Sequence, residues 1–196
     1  MIRLYSVGYV GNLGTSVLIE KKQADLIKYF NYEFIAQVQS ELDTSLSKGG
    51  LSPSLIMPDN NVVDAEEIGK GGILTALWKI CDRNKWGLRY SLKKIPILQG
   101  TIEIANYFDI NPYKLLTKNS FLIATEDGDE KRNCDTMSDE CYFRFGENIE
   151  VMAEIGEVVK GKKRVRIDGE SEAFLTKDFK DEIDKILINY TRKMYD

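Results

Sequence analysis

The sequence predicts an α+β domain in which helices pack on one mixed sheet. Strand and helix patterns alternate along the chain, but without the long, regular strand–helix–strand rhythm of a parallel nucleotide-binding sheet. The length of 196 residues, with 43% apolar and 30% charged residues, is typical of a globular chain with one core. No internal repeat or long linker divides it, so we expect residues 1–196 to form a single domain.

The first half of the chain contains two glycine-rich stretches between its apolar patterns. In chain order the patterns predict strands at 4–10 and 16–19, helical structure from 22 to 42, a strand at 62–63 and a helix from Gly72. Apolar residues at every fourth position from Leu26 to Leu42 indicate two helices or one bent helix. The stretch Gly8–Thr15 is interpreted as a tight hairpin, because glycine adopts positive φ at no steric cost.

The second half of the chain predicts most of the sheet. Its patterns indicate strands at 88–92, 121–124, 151–159 and 164–167, short helices from 101 and 112, and a C-terminal helix whose apolar face runs from Phe179 to Met194. The last two strands flank Lys160–Lys163 and are interpreted as a hairpin. Residues 126–147 are acidic and rich in helix breakers, so we expect a loop or a short, irregular helix there.

Composition excludes several classes of function. The chain has no histidine, which removes Ser-His-Asp triads and every His-containing metal site. The spacing of Cys134 and Cys141 matches no zinc motif, and the acidic residues after Glu126 lack the register of a calcium loop. We expect no metal site. The net charge of −4 and the lack of a basic run argue against nucleic acid. The lack of a targeting signal or membrane span predicts a cytoplasmic protein that does not enter a membrane.

The best candidate for a ligand site is the turn Gly69-Lys70-Gly71-Gly72 before a predicted helix. Glycine amides and a helix N-terminus together favour an anion, and Lys70 would add a positive charge. The spacing is neither that of a P-loop nor Gly-x-Gly-x-x-Gly. Alternatively, Gly71 and Gly72 simply allow the helix to pack closely on the sheet.

Several stretches follow one another in the order of a known family. They are Gly11–Thr15, Gly71–Trp78, Trp86–Leu88, Lys94–Ile97, Phe108–Leu116, Phe121–Thr125 and Glu154–Val159. This order resembles the C-terminal domain of aminoimidazole ribonucleotide (AIR) synthase-related, or PurM-like, proteins, and is most similar to the HypE-like hydrogenase maturation factors. The resemblance implies a three-layer α+β domain with a mixed sheet, partly like a ferredoxin fold.

The resemblance also implies what this chain lacks. Proteins of that family use ATP, and their magnesium ligands and much of their nucleotide site lie in a preceding N-terminal domain. Their shared turn reads Asp-x-Thr-x-Gly-Gly, whereas this chain has Glu67 and Gly69 at the Asp and Thr positions. The HypE-like proteins carry their substrate on a C-terminal cysteine, whereas the last cysteine here is Cys141.

We therefore expect a non-catalytic binding or accessory subunit that completes a site with a separate ATP-binding chain. On this interpretation the chain has no cofactor of its own, and Mg-ATP binds only with the partner. The chain would form a homodimer or a hetero-complex through apolar surface to which Tyr5, Tyr9, Phe30 and Trp78 contribute. The alternative is a small metabolic enzyme that binds a phosphorylated ligand at Gly69–Gly72. Its acid–base candidates would be Asp64, Glu66 and Glu67, with Lys70 as the electrostatic stabiliser.

Overall fold

The computed structural model describes residues 1–47, 62–126, 141–145, 148–169 and 171–188. In these residues the strands are β1 (Ile2–Val7), β2 (Val62–Glu67), β3 (Gly87–Tyr90), β4 (Phe121–Glu126), β5 (Cys141–Phe145), β6 (Asn148–Val159), β7 (Arg164–Asp168) and β8 (Ser171–Phe174). The helices are α1 (Asn12–Leu26), α2 (Tyr32–Ser47), α3 (Gly72–Asn84), α4 (Gln99–Tyr107) and α5 (Ile183–Ile186). Short 3-10 turns cover Leu92–Lys94 and Pro112–Lys114.

The strands form one mixed sheet in the order β2-β4-β1-β6-β3-β7-β8, with β5 paired to β6. Among these pairings only β3 with β7 is parallel, and the rest are antiparallel. Helices pack on this sheet, so the predicted α+β class is confirmed. No helix in the described ranges has the length and apolar composition to cross a membrane.

The core consists of two main clusters of buried side chains. The first lies between α3 and one face of the sheet, where Ile73, Leu77 and Ile80 of the helix meet Leu4 and Leu122 of the strands. The second joins α1, α2, α4 and α5 through Leu18, Leu26, Ile35, Val38, Leu42, Ile104 and Ile183. Each buried large aliphatic side chain contributes about 1.5–3 kcal/mol to folding. The residues around 111–118 run between the two clusters, and the candidate site lies there.

The hairpin predicted around Gly8–Thr15 is wrong, because this stretch connects β1 to a helix. Gly11 adopts φ 74° and forms the N-cap of α1. Residues 16–19, predicted as a strand, lie inside that helix. Of the two alternatives predicted between residues 22 and 42, two helices or one bent helix, the structure has two helices, and the first begins ten residues before residue 22.

The hairpin predicted around Lys160–Lys163 is also wrong, although both of its strands exist. β3 lies between β6 and β7 and pairs with both. Leu88 is the register partner of Val158 on one side and of Arg164 on the other. The short link from β6 to β7 therefore crosses over the end of β3, and its Lys163 carbonyl accepts a hydrogen bond from the Leu88 amide.

Two further predictions fall only partly on described residues. Within the predicted loop 126–147, Cys141–Phe145 is a strand paired with β6, so the loop prediction is wrong for these five residues. Residues 127–140 and 146–147 are outside the described part. The predicted C-terminal helix is described only as α5, which Phe179 precedes, and residues 189–196 lie outside.

Candidate functional site

The predicted glycine turn lies where β2 ends and α3 begins. Gly71 has φ 75° and forms the N-cap of α3, and its neighbour Gly72 has φ 63°. The Gly72 amide donates to the Gly69 carbonyl at 3.0 Å and closes the turn. A Cβ at position 72 would collide with the Tyr113 carbonyl oxygen, so close packing requires glycine there.

The amide of Gly71 binds an anion that belongs to the chain itself. It donates to Asp181 Oδ2 at 2.7 Å. The other carboxylate oxygen, Oδ1, accepts from the amides of Leu116 at 3.2 Å and Ile183 at 3.1 Å. Both amides of the glycine pair are thus satisfied, one by Asp181 and one by the turn. The position that we predicted for a ligand anion is filled by a side chain 110 residues further along the chain.

Asp181 is almost fully enclosed, with 2% of its surface exposed. Burial raises its pKa to about 6, against the hydrogen bonds from Gly71, Ile183 and Leu116, which lower it. The N-terminus of α3 carries a partial positive charge that also favours the carboxylate. At neutral pH the group is mainly ionised, so the start of α3 already has its counter-charge.

Residues 175–188, here called the C-terminal segment, carry two more acidic side chains to the same place. Lys114 pairs with Asp178 and, at 3.6 Å, with Glu182. The Glu182 amide donates to the Lys114 carbonyl at 3.2 Å. The hydrogen bond from Lys114 holds the pKa of Asp178 below its usual value. Three carboxylates of one segment therefore face the loop after α4 and the start of α3.

The remaining polar groups of the turn differ in exposure. Lys70 is exposed, and a Cβ added at Gly69 would meet no atom within 4 Å. Thr75, one turn into α3, is buried, and its Oγ1 has no hydrogen-bond partner in the part of the chain that the structure describes. That hydroxyl points at Gly71, because a Cβ at position 71 would contact it.

Two of the three acid–base candidates lie away from the glycine turn. Asp64 and Glu66 on β2 pair with Arg83 at 2.9 and 2.8 Å. Burial works to raise the pKa of Asp64, but the hydrogen bonds from Asn84 and Arg83 outweigh it and leave the pKa lowered. Arg83 belongs to the last turn of α3, and the helix has 13 residues and is about 20 Å long. These two carboxylates therefore lie near the helix end opposite the glycine turn.

Glu67, the third acid–base candidate, is exposed at the end of β2. It is register partner to Phe121 of β4. In the described residues no three His, Cys, Asp or Glu side chains are grouped so that they could hold a metal ion.

A second helix start has the same backbone geometry and a neutral partner. Gly11 begins α1 as Gly71 begins α3, with nearly equal φ. Its amide donates to Thr117 Oγ1 at 2.8 Å, and the amide of Thr117 in turn donates to the Gly69 carbonyl at 3.3 Å. Leu116 and Thr117 thus connect both helix starts. The pairing of one glycine N-cap with a hydroxyl and the other with a carboxylate distinguishes the two.

Sequence reasoning missed Asp181. It lies in a run of charged residues, Lys177–Lys185, whose pattern is typical of a solvated surface. One local signal was present, because an Asp two residues before the buried Ile183 fits the first turn of a helix, and Asp181 does accept the Ile183 amide. Its contact with Gly71 has no signal in a single sequence.

The residues proposed for association are half-buried. Tyr5, Tyr9, Phe30 and Trp78 each keep part of their surface exposed. Trp78 is covered by the Arg164 guanidinium at 4.3 Å from its ring centroid, and Phe30 stacks on a neighbouring Phe at 4.8 Å. More exposed apolar surface lies at the α1–α2 turn, on Ile27, Tyr29 and Tyr32.

The fold of this chain resembles the folds of several solved proteins. The chain is similar to HypE from E. coli, a hydrogenase maturation protein, with a TM-score of 0.64 and 15% identity over 94% of this chain and 52% of that chain. A HypE solved in complex with ATP has a TM-score of 0.58 and 11% identity, and the match covers 89% of this chain and 50% of that chain. Thiamine-monophosphate kinase from Stenotrophomonas maltophilia has a TM-score of 0.57 and 14% identity, and the match covers 86% of this chain and 50% of that chain.

These likenesses confirm the predicted PurM-like fold, and at such identities they speak for the fold alone. The chain spans about half the length of the solved chains that it matches. No family profile and no curated protein matches the sequence.

Proposed function

We propose that this chain is a non-catalytic binding or accessory domain, which completes a nucleotide site together with a separate ATP-binding chain. The observation that supports this most directly is the contact between Gly71 and Asp181. The helix start that would cradle a phosphate is filled by a buried carboxylate of the same chain. A phosphate that approached this position would meet negative charge and no vacant amide of the glycine pair.

The positions of two of the three acid–base candidates agree with the lack of independent catalysis. Asp64 and Glu66 are engaged by Arg83, and the pair lies near the far end of α3 from the glycine turn. A general acid or base must reach the reacting group to within hydrogen-bond distance or through one water. Neither carboxylate has that relation to a ligand at Gly71.

The role of a second chain is suggested by the relatives. This chain covers only 50% of the HypE that was solved with ATP, and HypE has also been solved in a complex with HypF. On our proposal the nucleotide contacts come mainly from the partner, and this domain contributes the surface around its helix starts.

The proposal predicts that the isolated chain binds Mg-ATP in the millimolar range or more weakly and does not hydrolyse it. An exposed helix N-terminus contributes about 0.3–1 kcal/mol towards an anion, whereas micromolar binding needs about 8 kcal/mol. Isothermal titration calorimetry of the purified chain with Mg-ATP, followed by a phosphate-release assay, measures both quantities.

Two variants separate the interpretations in that experiment. Lys70→Ala removes the exposed cation of the turn, and Gly69→Ala is the matched control, because a Cβ there meets no atom. A micromolar dissociation constant that Lys70→Ala weakens tenfold and Gly69→Ala leaves unchanged would contradict the accessory proposal. That result would favour the alternative, a small enzyme that binds a phosphorylated ligand at Gly69–Gly72.

A further inference from the structure

The C-terminal segment connects the two core clusters of the molecule. At one end Leu175 is buried in the cluster between α3 and the sheet, and its amide donates to the Arg164 carbonyl at 2.9 Å. At the other end Ile183 is fully buried in the helical cluster. Asp181 lies between these two points, where the start of α3 and the loop at Leu116 come together.

The carboxylate of Asp181 satisfies donors that belong to three separate parts of the chain. Gly71 is at a helix start, Leu116 is in the loop after α4, and Ile183 is in the segment itself. Without the carboxylate, the first two amides would be buried donors with no acceptor, and the unpartnered Thr75 hydroxyl lies beside them. Such a group of donors is an anion cradle, and its occupant is covalently part of the protein.

Much of the rest of the segment is exposed, although Glu182 is buried and pairs with Lys114. Its helix has only four residues, and Phe179 and Ile188 are 41% and 79% exposed. In its ion pairs, Asp178 and Lys185 are 42% and 61% exposed, whereas their partners Lys114 and Glu182 are 13% and 6% exposed. Segments with few buried side chains and many exposed contacts open at lower free energy than the core.

We infer that residues 175–188 form an autoinhibitory strap, in which Asp181 occupies the anion cradle at the start of α3 until the strap leaves as a unit. An oxyanion from outside, such as a phosphate group, then takes the place of the carboxylate. This inference goes beyond the proposed function, because it concerns what opens the cradle and not which chain supplies the nucleotide.

Hydrogen exchange on the unmodified protein tests the strap directly. The amides of Gly71, Leu116 and Ile183 share one acceptor, so they exchange through one common opening, at least tenfold more often than the amide of Leu77 in the middle of α3. Inorganic phosphate, compared with sodium chloride at equal ionic strength, speeds exchange at Ile183 and leaves Gly71 protected, because phosphate replaces the carboxylate at the helix start. The inference is overturned if all these amides exchange only through global unfolding and phosphate does not change their rates.

Substitution of Asp181 gives a second, independent readout. Asp181→Ala empties the cradle, and phosphate at ten times its dissociation constant then raises the ratio of folded to unfolded protein about elevenfold. This corresponds to a rise in Tm of about 3–6 °C for a chain of this size. Asp181→Asn is the matched control, since its amide group keeps the cradle filled and phosphate leaves its Tm unchanged. Acetate in place of phosphate distinguishes a cradle that accepts any carboxylate from one that requires a larger oxyanion.

An equal response of both variants to phosphate would contradict the inference, as would no response of Asp181→Ala. If Asp181→Ala does not fold, the exchange experiment on the unmodified chain decides alone. The proposed function stands or falls separately, because it depends on the affinity of the unmodified chain for Mg-ATP.

Discussion

Replacing Asp181 by Asn keeps the size of the side chain but removes one acceptor. Both oxygens of the carboxylate accept amide hydrogen bonds, one from Gly71 and the other from Leu116 and Ile183. Asn has a single acceptor oxygen, so its amide nitrogen must face at least one of these donors. A buried donor left unpaired costs about 1–3 kcal/mol. We expect Asp181→Asn to lower the free energy of unfolding by that amount at pH 7.

The same substitution changes how stability depends on pH. The pKa of Asp181 is raised from 3.8 to about 6 in the folded protein. A group whose pKa is higher in the folded state binds protons more readily when folded, so its stabilising contribution is full below pH 3.8 and is lost as the pH rises through 6. At about 1.4 kcal/mol per pH unit this amounts to about 3 kcal/mol. The free energy of unfolding of the unmodified protein, minus that of the Asp181→Asn variant, therefore grows as the pH falls from 7.5 to 4.5.

Urea unfolding at a series of pH values, followed by tryptophan fluorescence, measures this difference. Asp178→Asn is the control, because the hydrogen bond from Lys114 lowers the pKa of Asp178 and the sign is opposite. Its contribution is present at neutral pH and is lost as the pH falls below 3.8, and it is small because the side chain is 42% exposed. A stability difference for Asp181→Asn that is constant with pH, or larger at pH 7.5 than at pH 4.5, would refute the reasoning.

Two other predictions concern packing and association. Gly72→Ala should lower the free energy of unfolding by about 2–4 kcal/mol, because position 72 has a positive φ and its new Cβ would collide with Tyr113. The control, Gly69→Ala, should change the free energy of unfolding by less than about 1 kcal/mol. Equal effects of the two substitutions in chemical denaturation would show that the turn does not need glycine for packing. The isolated chain should form a homodimer in light scattering at tens of micromolar, and Tyr29→Ser, which removes an aromatic ring 72% exposed at the α1–α2 turn, should weaken it at least tenfold. A monomer at that concentration would leave a hetero-complex as the expected association.

The sequence was informative wherever a local pattern determines structure. The apolar face of Ile73, Leu77 and Ile80 after a glycine pair predicted α3 correctly, because helix period and N-terminal signal agree. The stretch Gly8–Thr15 was misread because a glycine at positive φ serves hairpins and helix N-caps alike. In α1 the consecutive residues Val17–Ile19 are all buried although they point in different directions from the helix axis, so the sequence shows no helical period there.

The pairing of strands and the occupation of the cradle by Asp181 could not be predicted from local sequence patterns. The strands at Val151–Val159 and Arg164–Asp168 are close in sequence, so a hairpin is the local expectation, yet β3 from far upstream lies between them. The contact of Asp181 with Gly71 is equally non-local. A carboxylate in a charged run carries no mark of burial until the chain has folded around it.

The central position of β1 affects when its strand partners become available during synthesis. Tyr5 is register partner to Ile123 of β4 and to Glu154 of β6, so both neighbours of this strand are synthesised long after it. About 30 residues separate the end of β4 from Glu157, the last β6 partner of β1, and translation at roughly 5–20 residues per second takes about 2–6 seconds over them. During that interval one hydrogen-bonding edge of β1 is uncovered, and such edges promote association between nascent chains. Slower translation of the stretch between β4 and β6 would lengthen this exposure in proportion.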